Sequence, residues 1–147
     1  MKHYYSHQKH DAVKNYFPLP NEIFSLNLSS GEISVYSFLM YCENRKTFQC
    51  HPSYKKIGKA LHISQNTVKK YVDRLVEKRL ITTEPTQVIT KNGRKRNGNL
   101  LYTILPIEEA VEYYYEQQMM RLDEEMMRQS TTKKLAEYDH KHPKAAV

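Results

Sequence analysis

The chain has 147 residues, with 23 Lys/Arg against 16 Asp/Glu, a formal net charge of +7 and a pI near 9.3. That is enough chain for one domain with a modest core, and no apolar run approaches the ~20 residues of a membrane span. Its two cysteines, Cys42 and Cys50, form no C-x-x-C pair and have no second pair to complete a zinc set, so a reducing cytoplasm without metal or other cofactor is expected. The first residues are polar and do not read as a secretory leader. The basic excess is uneven. Residues 51–100 carry twelve Lys/Arg and only Asp73, Glu77 and Glu84, a net of +9, whereas residues 1–50 come to +1 and residues 101–147 to −3. A basic middle points to a polyanionic partner for that middle.

In chain order, residues 1–15 are polar with no periodic apolar face and read as a flexible arm. His3, His7 and His10 would share a face if the arm were helical, a spacing at which a metal site is conceivable. Ordered structure is expected from residue 16. Pro18 and Pro20 stiffen the approach, and Asn21 is placed to cap a short helix carrying Ile23, Phe24 and Leu26. Ser29 and Glu32 form a capping box, in which each side chain can satisfy a free backbone amide. The helix it opens should run to about Cys42 and bury Ile33, Tyr36, Phe38 or Leu39, and Met40, with Cys42 in the core. Phe48 to Cys50 reads as a short strand.

Two helices with a tight turn follow. Ser53 can cap the first, whose apolar face is Ile57, Ala60 and Leu61. Ser64 can cap the second, whose inner face is Val68, Tyr71, Val72 and Leu75, with Leu80 beyond its end. Ile63 plugs the angle between them. Ile81 to Thr90 is then rich in β-branched residues, with Pro85 marking a kink or an exposed edge. Residues 91–99 form a basic loop with two Asn-Gly pairs. Leu100 to Leu105 is the return strand.

Ile57, Leu61, Ile63, Val68 and Tyr71 occupy the apolar positions of a helix-turn-helix. Together with the helix before and the hairpin after it, the run from Cys50 to Ile81 resembles the winged helix-turn-helix domains of bacterial replication initiators and related regulators on plasmids, phages and conjugative elements. The resemblance covers roughly residues 17 to 105. It implies a fold that is mainly α with a small β wing, a winged helix-turn-helix over residues 16–105. Three positions depart from the pattern: His62 stands where the turn often has Gly, Gly58 where Ala is usual, and Arg79 where Gly often ends the second helix. His62 must therefore tolerate positive φ.

The outward face of the second helix carries Gln65, Asn66, Lys69, Lys70 and Asp73. Its first turn is the part that enters a major groove. Gln65 and Asn66 can each pair bidentately with adenine, and Lys69 or Lys70 can reach guanine or a phosphate. Ser53, Tyr54, Lys55, Lys56, Ser64 and Thr67 are better placed for phosphates, which set register. Lys91, Arg94, Lys95 and Arg96 form the wing, which the resemblance lays along the minor groove or flanking backbone.

Pro106 breaks the last strand, and a helix is expected over residues 106–130, with Ile107, Val111, Tyr114, Tyr115, Met119, Leu122 and Met126 as an apolar stripe. It either folds back on its own domain or pairs with a second copy; the dimer is preferred, with Val111, Tyr115, Met119, Leu122 and Met126 at its interface. Residues 131–147 read as a flexible tail. The paired acids Glu108-Glu109 and Glu124-Glu125 fit a solvated face, so no enzyme is expected. The function expected is sequence-specific binding of double-stranded DNA by a homodimer, as transcriptional regulator or accessory replication initiator of a mobile element, with a replication or transcription protein as a further partner. The alternative is a protein-interaction module on the same scaffold.

Overall fold

The computed structural model describes residues 16–144. The proposed N-terminal arm, with His3, His7 and His10, and the last three residues lie outside the described residues. A short 3-10 helix (Asn21–Ser25) leads into α1 (Ser30–Cys42), β1 (Gln49–Cys50), α2 (Tyr54–Leu61), α3 (Gln65–Glu77), β2 (Ile81–Glu84), β3 (Gln87–Ile89), β4 (Lys95–Asn97), β5 (Leu101–Ile104) and α4 (Ile107–Lys141). This is a mostly helical winged helix-turn-helix with a small antiparallel sheet and a long C-terminal helix.

Three serines start the three domain helices, each for the same reason. The free amides of a helix's first turn need acceptors, and Ser29, Ser53 and Ser64 each take the amide three residues on. At Ser29 the reciprocal bond from its own amide to Glu32 completes the capping box. Asn21 does not cap as expected. It is the first residue of the 3-10 helix, Pro20 precedes it as the cap, and no side chain supplies a capping bond. Ile23 and Leu26 are buried there, while Phe24 is 77% exposed.

Both motif helices end on a non-glycine residue in the left-handed region. His62 has φ 57° and Arg79 has φ 59°. In each case the next amide reaches back five residues, Ile63 to the Gly58 carbonyl and Leu80 to the Leu75 carbonyl, both at 3.0 Å. These are Schellman closures, in which the hydrophobic residue after the turn folds back on the helix. Gly58 stands where Ala is usual because there is no room for a methyl. A Cβ added there would lie 2.6 Å from the Ile63 carbonyl oxygen. Gly58→Ala would gain up to about 1 kcal/mol of helix propensity but force the turn's backbone apart. We expect a net loss of roughly 1–2 kcal/mol, read as a lower urea midpoint at unchanged slope.

Ile23, Val35, Tyr36, Leu39, Ile57, Val68, Val72, Leu75, Leu80, Ile81 and Tyr102 form the centre of the core. On α1 the inner residues are Val35, Tyr36 and Leu39; Ile33, Phe38 and Met40 pack around them, and Cys42 is half-buried. Ala60, expected inside, is exposed, because α2 turns its Ile57–Gly58 side to the core. β5 is the middle strand of the sheet, antiparallel to β1 on one side and β2 on the other.

Glu32 is buried at 1% exposure and accepts from Lys78 Nζ at 2.8 Å. Lys78 also donates to the Asn27 carbonyl, which ties the end of α3 to the start of α1. Burial pushes the Glu32 carboxyl up, but the bonds from Lys78 and Ser29 outweigh it and hold it below the usual carboxylate range. A depressed folded pKa stabilises above the unfolded value, and that stabilisation is lost as pH falls through the folded value. Lys78→Met leaves the buried carboxylate without its cation. We expect a loss of about 2–3 kcal/mol near neutral pH, shrinking in acid as Glu32 protonates. Urea unfolding of both chains at about pH 7 and about pH 3.5 checks the trend.

The wing differs from the single hairpin expected. Pro85 lacks a backbone donor, and the ladder stops there. The hairpin divides into β2–β5, joined to the domain sheet, and a separate two-stranded ribbon, β3–β4, with Val88 opposite Arg96 and Ile89 opposite Lys95. The ribbon's turn uses the first Asn-Gly pair, with Gly93 at φ 72°. The second sits at the neck between the two sheets. There the Gly98 amide donates to the Thr86 carbonyl at 2.8 Å, and an added Cβ would lie 2.5 Å from the Thr86 hydroxyl. Asn99 Nδ2 donates to the His51 carbonyl at 3.2 Å, anchoring the neck to the start of α2.

The C-terminal helix is longer than expected. It runs 35 residues, continuing through residues 131–141, where a flexible tail was expected. Ala110 is its one buried residue among those described, with Ile107, Val111 and Tyr114 packed against the core. Arg79 stacks over the Tyr113 ring at 4.8 Å and joins the end of α3 to its root.

Candidate nucleic-acid interface

The outward face of α3 follows from helix geometry. Val68, Val72 and Leu75 point inward and are buried. Tyr71 is half-buried and packs over Gly31 of α1, where an added Cβ would strike its ring. The residues left to face outward, Gln65, Asn66, Lys69, Lys70 and Asp73, are all exposed. At 100° per residue they span about 140° of the helix surface. Over the first turns of α3, two amides and two ammoniums therefore share one face without an intervening apolar residue.

The expected phosphate residues do not form one group. Ser53, Tyr54, Lys55 and Gln65 line a common cleft with Asn99 of the neck, so the start of α2, the first turn of α3 and the base of the wing converge. Lys56 lines a different hollow, beside Glu43 and His51. The Ser53 hydroxyl accepts from the Lys56 amide at 3.0 Å. The Ser64 hydroxyl accepts from the Thr67 amide at 3.2 Å and meets the Thr67 hydroxyl at 2.8 Å. All three hydroxyls therefore take part in, or lie against, a helix cap. Burial, then the charge of Asp73, pushes the Tyr54 phenol up, so it stays protonated as a donor at the cleft.

Two further residues adjoin this surface; Lys59 was not singled out in the sequence, and His62 was named only for its place in the turn. Lys59 and His62 share a shallow depression with Lys55, Ser64 and Gln65 at the foot of the turn. The legible signal was the four-residue spacing of Lys55 and Lys59, which puts both ammoniums on one face of α2.

On the wing, Lys91 and Arg94 flank the turn, and Lys95 and Arg96 lie in β4. Successive strand side chains point to opposite faces, so Lys95 and Arg96 cannot both face one partner surface. All four are exposed, as are Val88 (54%) and Ile89 (70%) beside them. Among the described residues, no group of three or more His, Cys, Asp or Glu is arranged to hold a metal ion. None of the described helices is long and apolar enough to cross a membrane.

Residues 26–81 match the family model of a helix-turn-helix domain. No curated protein matches the chain. Among solved structures it is similar to a "possible transcriptional regulator" from Methanosarcina mazei Go1, at 19% identity over 71% of this chain and 82% of that one, with a TM-score of 0.46. It is also similar to a mutant of S. aureus MepR bound to an oligodeoxyribonucleotide, at 17% identity over 80% and 84% of the two chains, TM-score 0.40. A third is a transcriptional regulator of the MarR family from Silicibacter pomeroyi, at 15% identity over 86% and 80%, TM-score 0.39. Similarity at this level carries no ligand or operator from those proteins to this chain.

Proposed function

We propose that this protein binds double-stranded DNA in a sequence-specific way through α3 and the β3–β4 wing. The observation that carries the reading is the coincidence of charge and shape. The +9 of residues 51–100 falls on the helix-turn-helix and the wing, and the exposed face of α3 presents Gln65, Asn66, Lys69 and Lys70 together. A polyanion with readable base edges is the partner that uses both. The biological role is transcriptional regulation or accessory replication initiation on a mobile element.

The test is fluorescence anisotropy of a labelled random-sequence duplex at two salt concentrations, followed by selection of bound sites from a random duplex library. Binding should weaken linearly in log salt, by roughly 0.9 log units per phosphate neutralised, and selection should converge on one motif. Salt-dependent binding with no motif would remove sequence specificity. Absence of binding at about 50 mM salt would overturn the proposal and favour the interaction-module alternative. The recovered motif, placed in a reporter promoter and in an origin-dependent plasmid, separates the two roles.

A further inference from the structure

Beyond its first turns, α4 is a helix without a neighbour. At 1.5 Å per residue its 35 residues reach about 52 Å. Tyr115, Met119, Leu122 and Met126 are between 54% and 67% exposed. At 100° per residue these four lie within an arc of about 60°, while Ala110, the residue pressed on the domain, lies about 140° away from Tyr115. Ile107, Val111 and Tyr114, which begin the stripe, pack on the core, while these four residues turn away from the Ala110 contact. Tyr115 to Met126 lie past the part of α4 that is docked, and α4 is one unbroken helix, so its own domain leaves them uncovered.

The charges say what covers it. From Ile107 to Glu125 the helix has seven acids and one base, Arg121; from Met126 to Lys144 it has five bases and two acids. Glu112 and Glu116 flank the stripe on one side, and Lys134 and Lys141 follow on that same side, all within about 60–100° of Tyr115. A parallel pair would set acids on acids and bases on bases. An antiparallel pair sets each acidic half on a basic half.

We propose that α4 pairs antiparallel with α4 of a second copy of this chain. A two-fold axis near residues 123–125 places Leu122 of each copy opposite Met126 of the other and brings Lys134 between the partner's Glu112 and Glu116. The flat, exposed stripe becomes the seam, and the charged flank fixes direction. A parallel association would instead set the two acidic halves side by side and the two basic halves side by side.

Sedimentation equilibrium of the full-length protein at about 10 µM, without DNA, tests this independently of the DNA-binding reading. The expected mass is twice that of the 17.5 kDa chain. Leu122→Asp, at a site exposed in the single chain, should run as a monomer with an unchanged helical circular dichroism spectrum. Lys134→Glu/Lys141→Glu should weaken self-association at least tenfold, as should Glu112→Lys/Glu116→Lys; mixing these two variants should restore a dimer containing one of each. A wild-type monomer, or a dimer that Leu122→Asp leaves intact, overturns the proposal. Charge variants that remain dimeric alone and gain nothing on mixing overturn the antiparallel direction.

Discussion

Neutralising Lys91, Arg94, Lys95 and Arg96 together is expected to weaken binding to every duplex, whatever its sequence. The ribbon stands clear of the core, with all four side chains exposed, so their loss should leave the domain folded. The strand alternation limits the effect. Lys95 and Arg96 point to opposite faces of β4, so two or three of the four cations can face one backbone, not all four. Each phosphate that is no longer neutralised should flatten the plot of log K against log salt by roughly 0.9, so the slope should fall by about 2–3. At about 0.1 M salt that corresponds to roughly 10²–10³-fold in affinity. The measurement is a binding titration across a salt series, for the quadruple variant and for Lys95→Ala and Arg96→Ala separately. An unchanged slope in the quadruple variant would mean that the wing does not touch the duplex. Equal effects of the two single variants would contradict the alternation.

Gln65→Ala and Asn66→Ala should act differently. Both sit in the first turn of α3, exposed, immediately after the Ser64 cap. Neither side chain is required for the fold, and the capping bonds belong to Ser64. A true bidentate pairing with adenine should cost about 1–3 kcal/mol against the preferred base and nothing against the others. The salt slope should stay the same, since the same phosphates remain neutralised. Selected-site sequencing with each variant reads the outcome as flattened preference at one position of the motif. Two variants that retain the wild-type preference at every position would place base reading elsewhere on α3, with Lys69 and Lys70 the next residues to test.

The local chemistry of the helix-turn-helix was legible in the sequence. Ser29, Ser53 and Ser64 are caps because their hydroxyls compete well for first-turn amides, a preference that depends on neighbours three residues away. His62 in the left-handed region follows from the resemblance, since the turn often has Gly at that position. What required the folded chain was packing at long range. Glu32 looked like half of a capping box, and it is that, but its burial against Lys78 joins residues 46 positions apart. Gly58 reads in sequence as a weak helix residue; only the fold sets the Ile63 carbonyl against it. Pro85 marked a kink in the strand, but the division of the wing into two sheets depends also on Thr86 meeting Gly98 across the neck. The tail differs from expectation for another reason. Thr131-Thr132 are indifferent helix formers, yet a helix already propagating adds one bond for each residue fixed, so they do not stop it.

The neck at Thr86 and Gly98 has one more consequence. A two-stranded ribbon with no third strand and no core beneath it is only marginally ordered by its own bonds. Val88 and Ile89 remain in water, so burial adds little to its cohesion. Its six paired residues are joined to the domain at one pinched crossing, and with so little burial beyond it the ribbon is expected to swing there as a small paddle. The path a duplex offers varies with its sequence, since groove width and stiffness do. A paddle on a pivot can follow several such paths while α3 stays in one register, at the cost of losing its swing when it settles.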